Sequence, residues 1–436
     1  MTADATSLDA LVSPYGVIAR TDPWPRPGRL GVELAVSQVG SAHPRRHLGE
    51  GGPVTGSGHA WESPGWARLA AIAEGAERYA AADLLKERRI RATATELGEH
   101  CLDPARYPRC SPAELADPDC PVTPFDPDAS IRWVRGFDLT ASRIVWVPVT
   151  LTSYGVRPEG PAERFGARLS TGFAVHSDPV EAVVRGICEV AERDLNALVW
   201  LQRLPLPALD PACLTAPAAR LVEWCRRRFV DVHLFDATTD LRIPTVYCLL
   251  VAPHDRRLAR CVAASAGRSL ALAADQALRE AVRNRFFLLR RDRLPSDPRE
   301  FRLVEDGALY MGVPERAHAF GFLLEGEGGG GRQAPAHRTA PPAHLTIPDD
   351  PDEALSMLVG TLREAGMSAV VVDRTPRELM DVGLVAASVV IPDLQPMSLE
   401  PLAQFKAHPR LYEAPVRMGY RALPEEELNP WPQPFP

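Results

Sequence analysis

The chain has 436 residues, of which 45% are hydrophobic and 24% charged, a composition typical of a globular protein with a sizeable buried core. Its formal net charge is −7 and no long basic block offsets it, so duplex DNA or RNA is not an expected partner. No signal peptide opens the chain and no apolar run approaches the roughly 18–20 residues that span a bilayer, so we expect a cytoplasmic protein without a membrane partner.

The predicted elements mix strands and helices, which indicates an α+β fold. Short apolar runs in residues 1–55 are typical of strands and loops, and we expect this region to pack on a main domain of residues 56–436. Helical patterns extend from Pro64 to about Glu99, from Pro179 to Trp200, and over residues 271–291. The strand-like runs are residues 131–139, 143–151, 230–238, 244–252, 368–373 and 386–392.

Two compositional features limit the chemistry. The only lysines are Lys86 and Lys406, and neither follows a glycine loop, so the chain has no Walker A motif. The Gly/Pro-rich residues 326–345 therefore predict a mobile loop or linker, and the alternative, a phosphate-cradling loop, lacks its lysine. Eight cysteines without a CxxC pair signal neither a zinc knuckle nor a redox dithiol.

One short pattern occurs twice. Residues 74–79 read EGAERY, and residues 189–194, 115 positions later, read EVAERD. Each copy lies in a predicted helix that begins with a capping residue followed by proline, Ser63 and Pro64 in the first and Asp178 and Pro179 in the second. The chain thus repeats a helix, including its start, and not only an isolated motif.

Acidic residues share one face of each helix. In the second helix Glu181, Arg185, Glu189 and Glu192 form a stripe opposite an apolar face, and in the first Glu74, Glu77 and Arg78 lie three and four residues apart. A solvated face with ion pairs across its turns, and a Glu181 that completes a capping box with Asp178, would explain the pattern. Carboxylates that hold magnesium ions on nucleotide phosphates, with arginine in place of the missing lysine, are the alternative, and only this alternative accounts for the repetition.

The surrounding sequence resembles the YcaO family of ATP-dependent enzymes that modify peptide backbones. LSTGFAVHSDPVEAVVRGICEVAERDLNALVW at 169–200 is similar to the central family motif, and GSGHAWESPGWARLAAIAEGAERYAA at 56–81 is similar to the first ATP helix. Residues 277–285 and 381–397 and the final PWPQPFP also resemble family stretches, so the resemblance covers nearly the whole chain.

The resemblance implies a YcaO-type fold with mixed sheets and ATP-binding helices, and it implies ATP and Mg²⁺ as cofactors. The departures from the family pattern are Ala70 for a serine, His59 for a lysine, and Arg185 and Arg283 where glutamine is common. They leave the acidic set intact. The implied metal ligands are Glu74, Glu77, Glu181, Glu189, Glu192 and Glu280, with Arg78, Arg185, Arg193 and Arg285 as further nucleotide-binding residues.

The final residues 430–436 are similar to the PxPxP ending of azoline-forming YcaO proteins. The resemblance implies that Pro432, Pro434 and Pro436 lie in the active site and that the terminal carboxylate of Pro436 is a catalytic base. A disordered, polyproline-like tail is the alternative that composition alone favours. His176 is a weaker candidate base, because a loop histidine without a special role is the simpler interpretation.

The implied reaction is ATP-dependent cyclodehydration, in which Cys, Ser or Thr of a ribosomally made precursor peptide becomes thiazoline or oxazoline after phosphorylation of the backbone amide oxygen. The expected partners are the precursor peptide and a separate ThiF-like leader-binding protein, and a homodimer is compatible with the sequence. Two alternatives remain, a YcaO enzyme that forms thioamides with a TfuA-type partner and a non-catalytic YcaO-like protein that binds peptide.

Overall fold

The computed structural model describes residues 5–25, 31–40, 54–82, 89–167, 169–324 and 344–436. The predicted loop at 326–345 therefore lies almost wholly outside the described residues. The chain divides into two compact units, the first comprising Met1–Tyr107, Thr123–Val190 and Pro348–Asp393, and the second Pro108–Val122, Ala191–Ile347 and Leu394–Pro436. The α+β prediction is confirmed, whereas the expected division at residue 55 stays a prediction.

The first unit contains two antiparallel sheets and several helices. Its strands are β1 (Ile18–Pro23), β2 (Val32–Val39), β3 (Thr55–Trp61), β4 (Ile90–Ala92), β5 (Ile131–Asp138), β6 (Arg143–Pro148), β7 (Phe173–His176), β11 (Val370–Asp373) and β12 (Val385–Val390). Its helices are α1 (Ala5–Ala10), α2 (Pro64–Ala80), α3 (Ala94–Leu97), α10 (Pro351–Glu364) and α11 (Arg377–Met380). One sheet has the order β1-β2-β3, and the other has the order β4-β5-β11-β12-β7 with β6 paired to β5.

The second unit is built on the antiparallel sheet β10-β9-β8. Its strands are β8 (Asp231–Asp236), β9 (Thr245–Val251) and β10 (Arg260–Ala266). Its helices are α4 (Pro112–Leu115), α6 (Ala216–Arg226), α7 (Leu270–Leu288), α8 (Asp306–Met311), α9 (Gly321–Leu324) and α12 (Arg410–Arg417), with a 3-10 helix at Pro314–Phe320. None of the described helices is both long and apolar enough to cross a bilayer.

Helix α5 (Pro179–Gln202) is the second of the two predicted acidic helices, and the division between the units falls within it, after Val190. Its start follows the sequence pattern, because Asp178 Oδ1 accepts hydrogen bonds from the backbone N–H groups of Val180 and Glu181. The capping box is not closed from the other side, since the N–H of Asp178 donates to His176 Nδ1.

The first predicted helix is shorter than its pattern suggested. Helix α2 ends at Ala80, and residues 90–92 form strand β4 instead of continuing the helix to Glu99. Tertiary pairing outweighs helical propensity at this point, because β4 is hydrogen-bonded along β5 and the indole of Trp133 donates to the carbonyl of Ala92. Strand β10 and helices α6, α10 and α12 are further elements that the sequence patterns did not predict.

A buried ion pair anchors the second half of α5 within the second unit. Asp194 is fully buried, and its carboxylate accepts hydrogen bonds from Arg410 Nε at 3.1 Å, from Arg410 Nη2 at 2.8 Å and from the backbone N–H of Gln395 at 2.8 Å. Asp240 also contacts the Arg410 guanidinium. Burial of a charge is tolerated when it is paired and hydrogen-bonded, and this pair satisfies both conditions.

Candidate functional site

Three of the predicted glutamates converge in the first unit from two helices. Glu77 on α2 interacts electrostatically with Glu189 on α5 and with Glu74 one turn earlier on its own helix. The two ExAER helices therefore bring Glu77 and Glu189, one carboxylate from each helix, within electrostatic reach of each other. Arg78 extends from the same side of α2 and contacts Glu74 at 3.2 Å.

Strand β3 supports Glu74. The backbone N–H and the hydroxyl of Ser57 both donate to Glu74 Oε2, at 2.9 and 3.0 Å. Glycines on either side of the serine permit this approach, because a Cβ on Gly58 would lie 2.0 Å from the carbonyl oxygen of Ala67, and one on Gly56 would lie 2.3 Å from the nitrogen of Gly75. The GSG sequence thus lets a strand backbone touch the helix and fix the carboxylate.

A second glycine turn supports Glu189. The N–H of Gly172 donates to Glu189 Oε2 at 3.1 Å, and Gly172 has a φ of +79°. A Cβ at this position would lie 2.1 Å from the carbonyl oxygen of Val389 on β12. Only glycine tolerates both the positive φ and the lack of space for a Cβ. This explains why the STG sequence before α5 ends in glycine.

The surroundings of Glu77 favour its neutral form. Part of the residue's surface stays exposed, yet protein encloses the carboxyl group itself, and this burial raises the pKa of Glu77 to about 8. The negative charges of Glu189 and Glu74 add to the increase, while Arg78 and a hydrogen bond from the N–H of Val175 oppose it. A bound cation would reduce the electrostatic repulsion in a cluster of carboxylates that has too little positive charge nearby.

The N-terminal turn of α5 places two further predicted residues. Arg185 Nε donates to Glu181 at 3.0 Å, and the side chain of Glu181 is only 12% exposed. His176 ends strand β7 and does not lie in a loop as predicted; burial and the positive charge of Arg185 lower its pKa. Its Nδ1 already accepts a hydrogen bond from the backbone, which removes the basic lone pair on that nitrogen.

The remaining predicted residues lie in the second unit. Glu192 Oε2 accepts a hydrogen bond from the N–H of Ala266, at the end of β10, at 3.0 Å, and Glu192 Oε1 pairs with Arg193 at 2.6 Å. Glu280, on α7, pairs with Arg283 at 3.1 Å. The charges of these two glutamates are therefore partly neutralised by Arg193 and Arg283.

Arg285 has a different environment from the one expected of a phosphate ligand. It is buried, and its guanidinium donates to Asp255 at 2.6 Å and to the carbonyl of Leu258. Both contacts are internal to the second unit, so the structure favours a structural role for Arg285. Its assignment to the nucleotide stays a prediction.

The chemistry of the first unit's cluster fits a magnesium-bound phosphate group. Within the described ranges, no three Asp, Glu, His or Cys residues already form a cage for a metal ion. Mg²⁺ does not need such a cage, because it retains waters and usually takes one or two carboxylates together with phosphate oxygens. A bound cation would offset the burial and the negative charges of Glu189 and Glu74 that raise the pKa of Glu77.

The proline-rich tail is buried in the second unit. Pro432, Gln433, Pro434 and Phe435 are buried and Pro436 is half-buried. Phe435 packs edge-to-face on Tyr247 with 5.5 Å between ring centroids. The alternative of a disordered tail is therefore wrong, because an aromatic anchor and a tail of low conformational entropy favour packing over release.

Sequence reasoning missed several of the groups that hold the carboxylates. Ser57 and Gly172 were visible only as parts of the quoted GSG and STG strings, and the signal that could have identified them was glycine placed next to a predicted acidic helix. The backbone donors Val175 and Ala266 carry no side-chain signal at all, because any residue other than proline offers the same N–H group.

A family model described as YcaO cyclodehydratase, ATP- and Mg²⁺-binding, matches residues 62–395, well over half of the chain. A curated relative from Rhizobium leguminosarum bv. trifolii, described as "Uncharacterized protein in tfuA 3'region", is 28% identical over 300 residues. That match covers 66% of this chain and 64% of the relative, so the chain spans less than two thirds of the relative's length.

Solved structures share the fold. The chain is similar to the structure described as "Heterocyclase in complex with substrate and Cofactor", with a TM-score of 0.79 and 22% identity, over 99% of this chain and 57% of that one. It is also similar to YcaO from Methanopyrus kandleri bound with AMPPCP and Mg²⁺, with a TM-score of 0.56 and 19% identity, over 87% of this chain and 86% of that one. The chain thus spans little more than half of the heterocyclase.

Proposed function

The chain belongs to the YcaO family, and we propose that it is an ATP-dependent cyclodehydratase that converts Cys, Ser or Thr of a ribosomally made precursor peptide to thiazoline or oxazoline. The family model supports an ATP-dependent enzyme, and the heterocyclase-like fold supports this chemistry within the family. The observation that carries the azoline assignment is the buried proline tail, because it runs beside the helix that bears Glu192.

Each unit carries its own set of proposed ligands for magnesium and nucleotide phosphate. In the first unit Glu74, Glu77, Glu181 and Glu189 are proposed Mg²⁺ ligands, with Arg78 and Arg185 beside them, and in the second unit Glu192 and Glu280 are proposed ligands, with Arg193 beside them. When bound, magnesium–ATP supplies the phosphoryl group that turns an amide oxygen into a leaving group. Ser57 and the N–H of Gly172 keep the carboxylates of the first unit oriented before it binds.

Contacts at both ends of the tail define its path within the second unit. At one end, the N–H of Asn429 donates to the carbonyl of Leu201, and the indole of Trp200 donates to the carbonyl of Trp431, each at 2.8 Å. At the other end, Phe435 packs on Tyr247 of β9. The tail therefore starts at the C-terminal end of α5 and leads to the middle strand of the sheet.

Distances along the elements support a tail that approaches Glu192. Tyr247 lies two residues from Thr245 on β9, about 7 Å along the strand, and Thr245 faces Ala266, which donates to Glu192. Glu192 and Trp200 are eight residues apart, about 12 Å along α5. The four residue-to-residue steps from Trp431 to Phe435 span a similar length when extended, at most about 14 Å.

The proposed role of the tail is proton transfer. The side-chain proton of the attacking Cys, Ser or Thr goes to a base as its sulfur or oxygen bonds to the preceding carbonyl carbon, and the amide N–H proton is lost when phosphate leaves and the C=N bond forms. The carboxylate of Pro436 is the proposed base. Burial of Phe435 and the fixed φ of the neighbouring prolines hold that carboxylate in place.

Chemical modification of the tail tests this proposal without removing Phe435 from the core. We expect a semisynthetic enzyme with a carboxamide at Pro436, and an enzyme extended by two glycines, each to cyclise precursor at least about 100-fold more slowly, the scale for loss of a positioned general base. Magnesium–ATP binding should persist in both. Cyclisation is measured by mass spectrometry as the loss of one water per ring. A normal rate for the carboxamide form would show that the carboxylate of Pro436 is not the base.

The tfuA neighbourhood in the relative's description favours one second candidate, a thioamide-forming enzyme. This reaction would use the same ATP set with a TfuA-type partner and sulfide in place of a neighbouring side chain. Mass spectrometry distinguishes the two, because azoline formation removes water and thioamide formation replaces oxygen with sulfur. A third reading, peptide binding without catalysis, predicts no ATP turnover in either assay.

We also propose that a separate ThiF-like protein captures the leader of the precursor. The heterocyclase match uses 99% of this chain but 57% of that protein, so the part of the heterocyclase that this chain matches is accompanied there by further protein. The rate of precursor cyclisation, measured with and without the partner, tests the proposal. Full processing of leader-bearing precursor by this chain alone would contradict it.

A further inference from the structure

A histidine and an aspartate form a hydrogen-bonded pair in the second unit. His344 Nε2 lies 2.9 Å from Asp236 Oδ2, and the side chain of Asp236 is only 9% exposed. The other oxygen, Oδ1, accepts a hydrogen bond from the N–H of Thr238 at 3.0 Å, which fixes the plane of the carboxylate. An ionised carboxylate only accepts hydrogen bonds, so the neutral imidazole carries its proton on Nε2.

The pairing leaves the second ring nitrogen of His344 available to take up a proton. No described residue forms a hydrogen bond with His344 Nδ1, and the side chain is 29% exposed. A proton on Nδ1 would turn the ring into an imidazolium, whose charge the adjacent Asp236 carboxylate stabilises. Enzymes use the same arrangement, an imidazole oriented by a buried carboxylate, for general base catalysis.

The pair is not needed to attach this part of the chain to the second unit. The backbone N–H of Leu345 donates to the carbonyl of Arg242 at 2.9 Å, and that of Ile347 donates to the carbonyl of Arg268 at 3.2 Å. The side chain of Ile347 is also buried. Backbone bonds of this kind form with any residue at position 344, so attachment alone does not explain the histidine.

The pair lies at the same end of the sheet as the backbone group that binds Glu192. Asp236, the last residue of β8, pairs with Val246 of β9, and Val246 pairs with Ser265 of β10. Adjacent strands are about 5 Å apart, so the backbones of Asp236 and Ser265 are about 10 Å apart. The next residue, Ala266, donates its N–H to Glu192, one of the proposed magnesium ligands.

We propose that His344 is a second catalytic base of the cyclodehydration, held in position by Asp236. The proposal rests on the proposed function, in which the proton of the amide nitrogen still lacks an acceptor. As phosphate leaves with the electrons of the C–O bond, the nitrogen forms the C=N bond and its proton passes to His344 Nδ1. The imidazolium returns this proton to solvent through its exposed side, which restores the neutral base.

Nitrogen-15 NMR of the imidazole tests the role of Asp236 without substrate. In the unaltered protein we expect neutral His344 to carry its proton on Nε2. In Asp236→Asn the amide oxygen can keep the bond from Thr238 while the amide nitrogen donates to Nε2, so the ring proton should move to Nδ1 and remove the basic lone pair there. The same tautomer in both proteins would overturn the role of Asp236.

Ring formation in a cysteine-bearing precursor, measured with magnesium–ATP and the leader-binding partner, tests the base itself. We expect His344→Ala and Asp236→Asn each to cyclise at least about 100-fold more slowly with an unchanged KM for ATP, the scale for loss of a general base. Added imidazole should restore part of the rate of His344→Ala. The matched control is His254→Ala, which changes an exposed histidine between β9 and β10, at the opposite end of the same sheet, and should cyclise normally.

Normal cyclisation by His344→Ala would overturn the proposal, and so would a loss of rate that imidazole does not restore, because a structural role gives that result. The unaltered protein separates this failure from a failure of the proposed function. If the unaltered protein and His344→Ala form rings equally well, only the base assignment is lost. If the unaltered protein forms none, the proposed function fails and the base assignment fails with it.

Discussion

Proton release on magnesium binding is the sharpest consequence of the crowded carboxylates around Glu77. With a pKa of about 8, the Glu77 carboxyl is roughly nine-tenths protonated at pH 7, whereas a magnesium ligand must be ionised. Binding of Mg²⁺ at pH 7 should therefore release about 0.9 proton per protein. Because the ionised fraction rises from about one tenth at pH 7 to about nine tenths at pH 9, the affinity should rise roughly tenfold over that interval.

Isothermal titration calorimetry in buffers that differ in ionisation enthalpy measures the released proton directly. Glu77→Gln should bind Mg²⁺ more weakly and should lose both the proton release and the pH dependence. The matched control is Glu364→Gln, which removes an exposed carboxylate from α10 of the same unit and should behave as the unaltered protein does. Equal heats in all buffers for the unaltered protein would refute the assignment of Glu77 as a ligand.

The same group should also affect stability without magnesium. The pKa of Glu77 is raised in the folded protein, so the folded form holds its proton more tightly than the unfolded form. The free energy of unfolding should therefore fall as the pH rises from about 4.5 to about 8, at up to about 1.4 kcal/mol per pH unit. Chemical denaturation of Glu77→Gln should show a smaller fall, and identical pH profiles would contradict the raised pKa.

Three further results are expected. Ser57→Ala removes the hydroxyl that donates to Glu74 and keeps the backbone N–H donor, so ATP turnover should fall about tenfold with little loss of stability; unchanged turnover would show that the hydroxyl is dispensable. Gly172→Ala should lower the free energy of unfolding by at least about 2 kcal/mol, whereas Gly65→Ala, which has open space around it, should be neutral or stabilising in thermal melts. Arg410→Met leaves the buried carboxylate of Asp194 without its ion-pair partner. The free energy of unfolding, measured by urea titration, should fall by about 3–5 kcal/mol, and a smaller loss would mean that solvent reaches the site.

The sequence allowed good predictions where interactions between residues close in sequence determine the structure. The start of α5 followed from Asp178 and Pro179, because capping is a local interaction. The repeated motif drew attention to Glu74, Glu77 and Glu189, since a duplicated face is hard to explain by solvation alone, and their role as ligands stays a prediction.

The predictions failed where a partner that is distant in sequence determines the local structure. Residues 90–92 have a helical pattern but pair with β5, and no local signal announces that partner. The structure of the tail was ambiguous for the same reason. Its composition fits a free polyproline segment, and the surface on which Phe435 packs includes Tyr247, which is far away in sequence. The supporting donors of the site were hidden because backbone N–H groups are common to nearly all residues.

The buried tail also constrains the order of events when the protein is made. Phe435 belongs to the hydrophobic cluster that contains Trp200, Tyr247 and Tyr310, and the ribosome makes all three of these residues long before it makes Phe435. During synthesis the second unit therefore has an open slot in its core where the tail will lie. A nascent or prematurely terminated chain keeps that slot exposed to chaperones and proteases, so only chains that contain the tail complete this core.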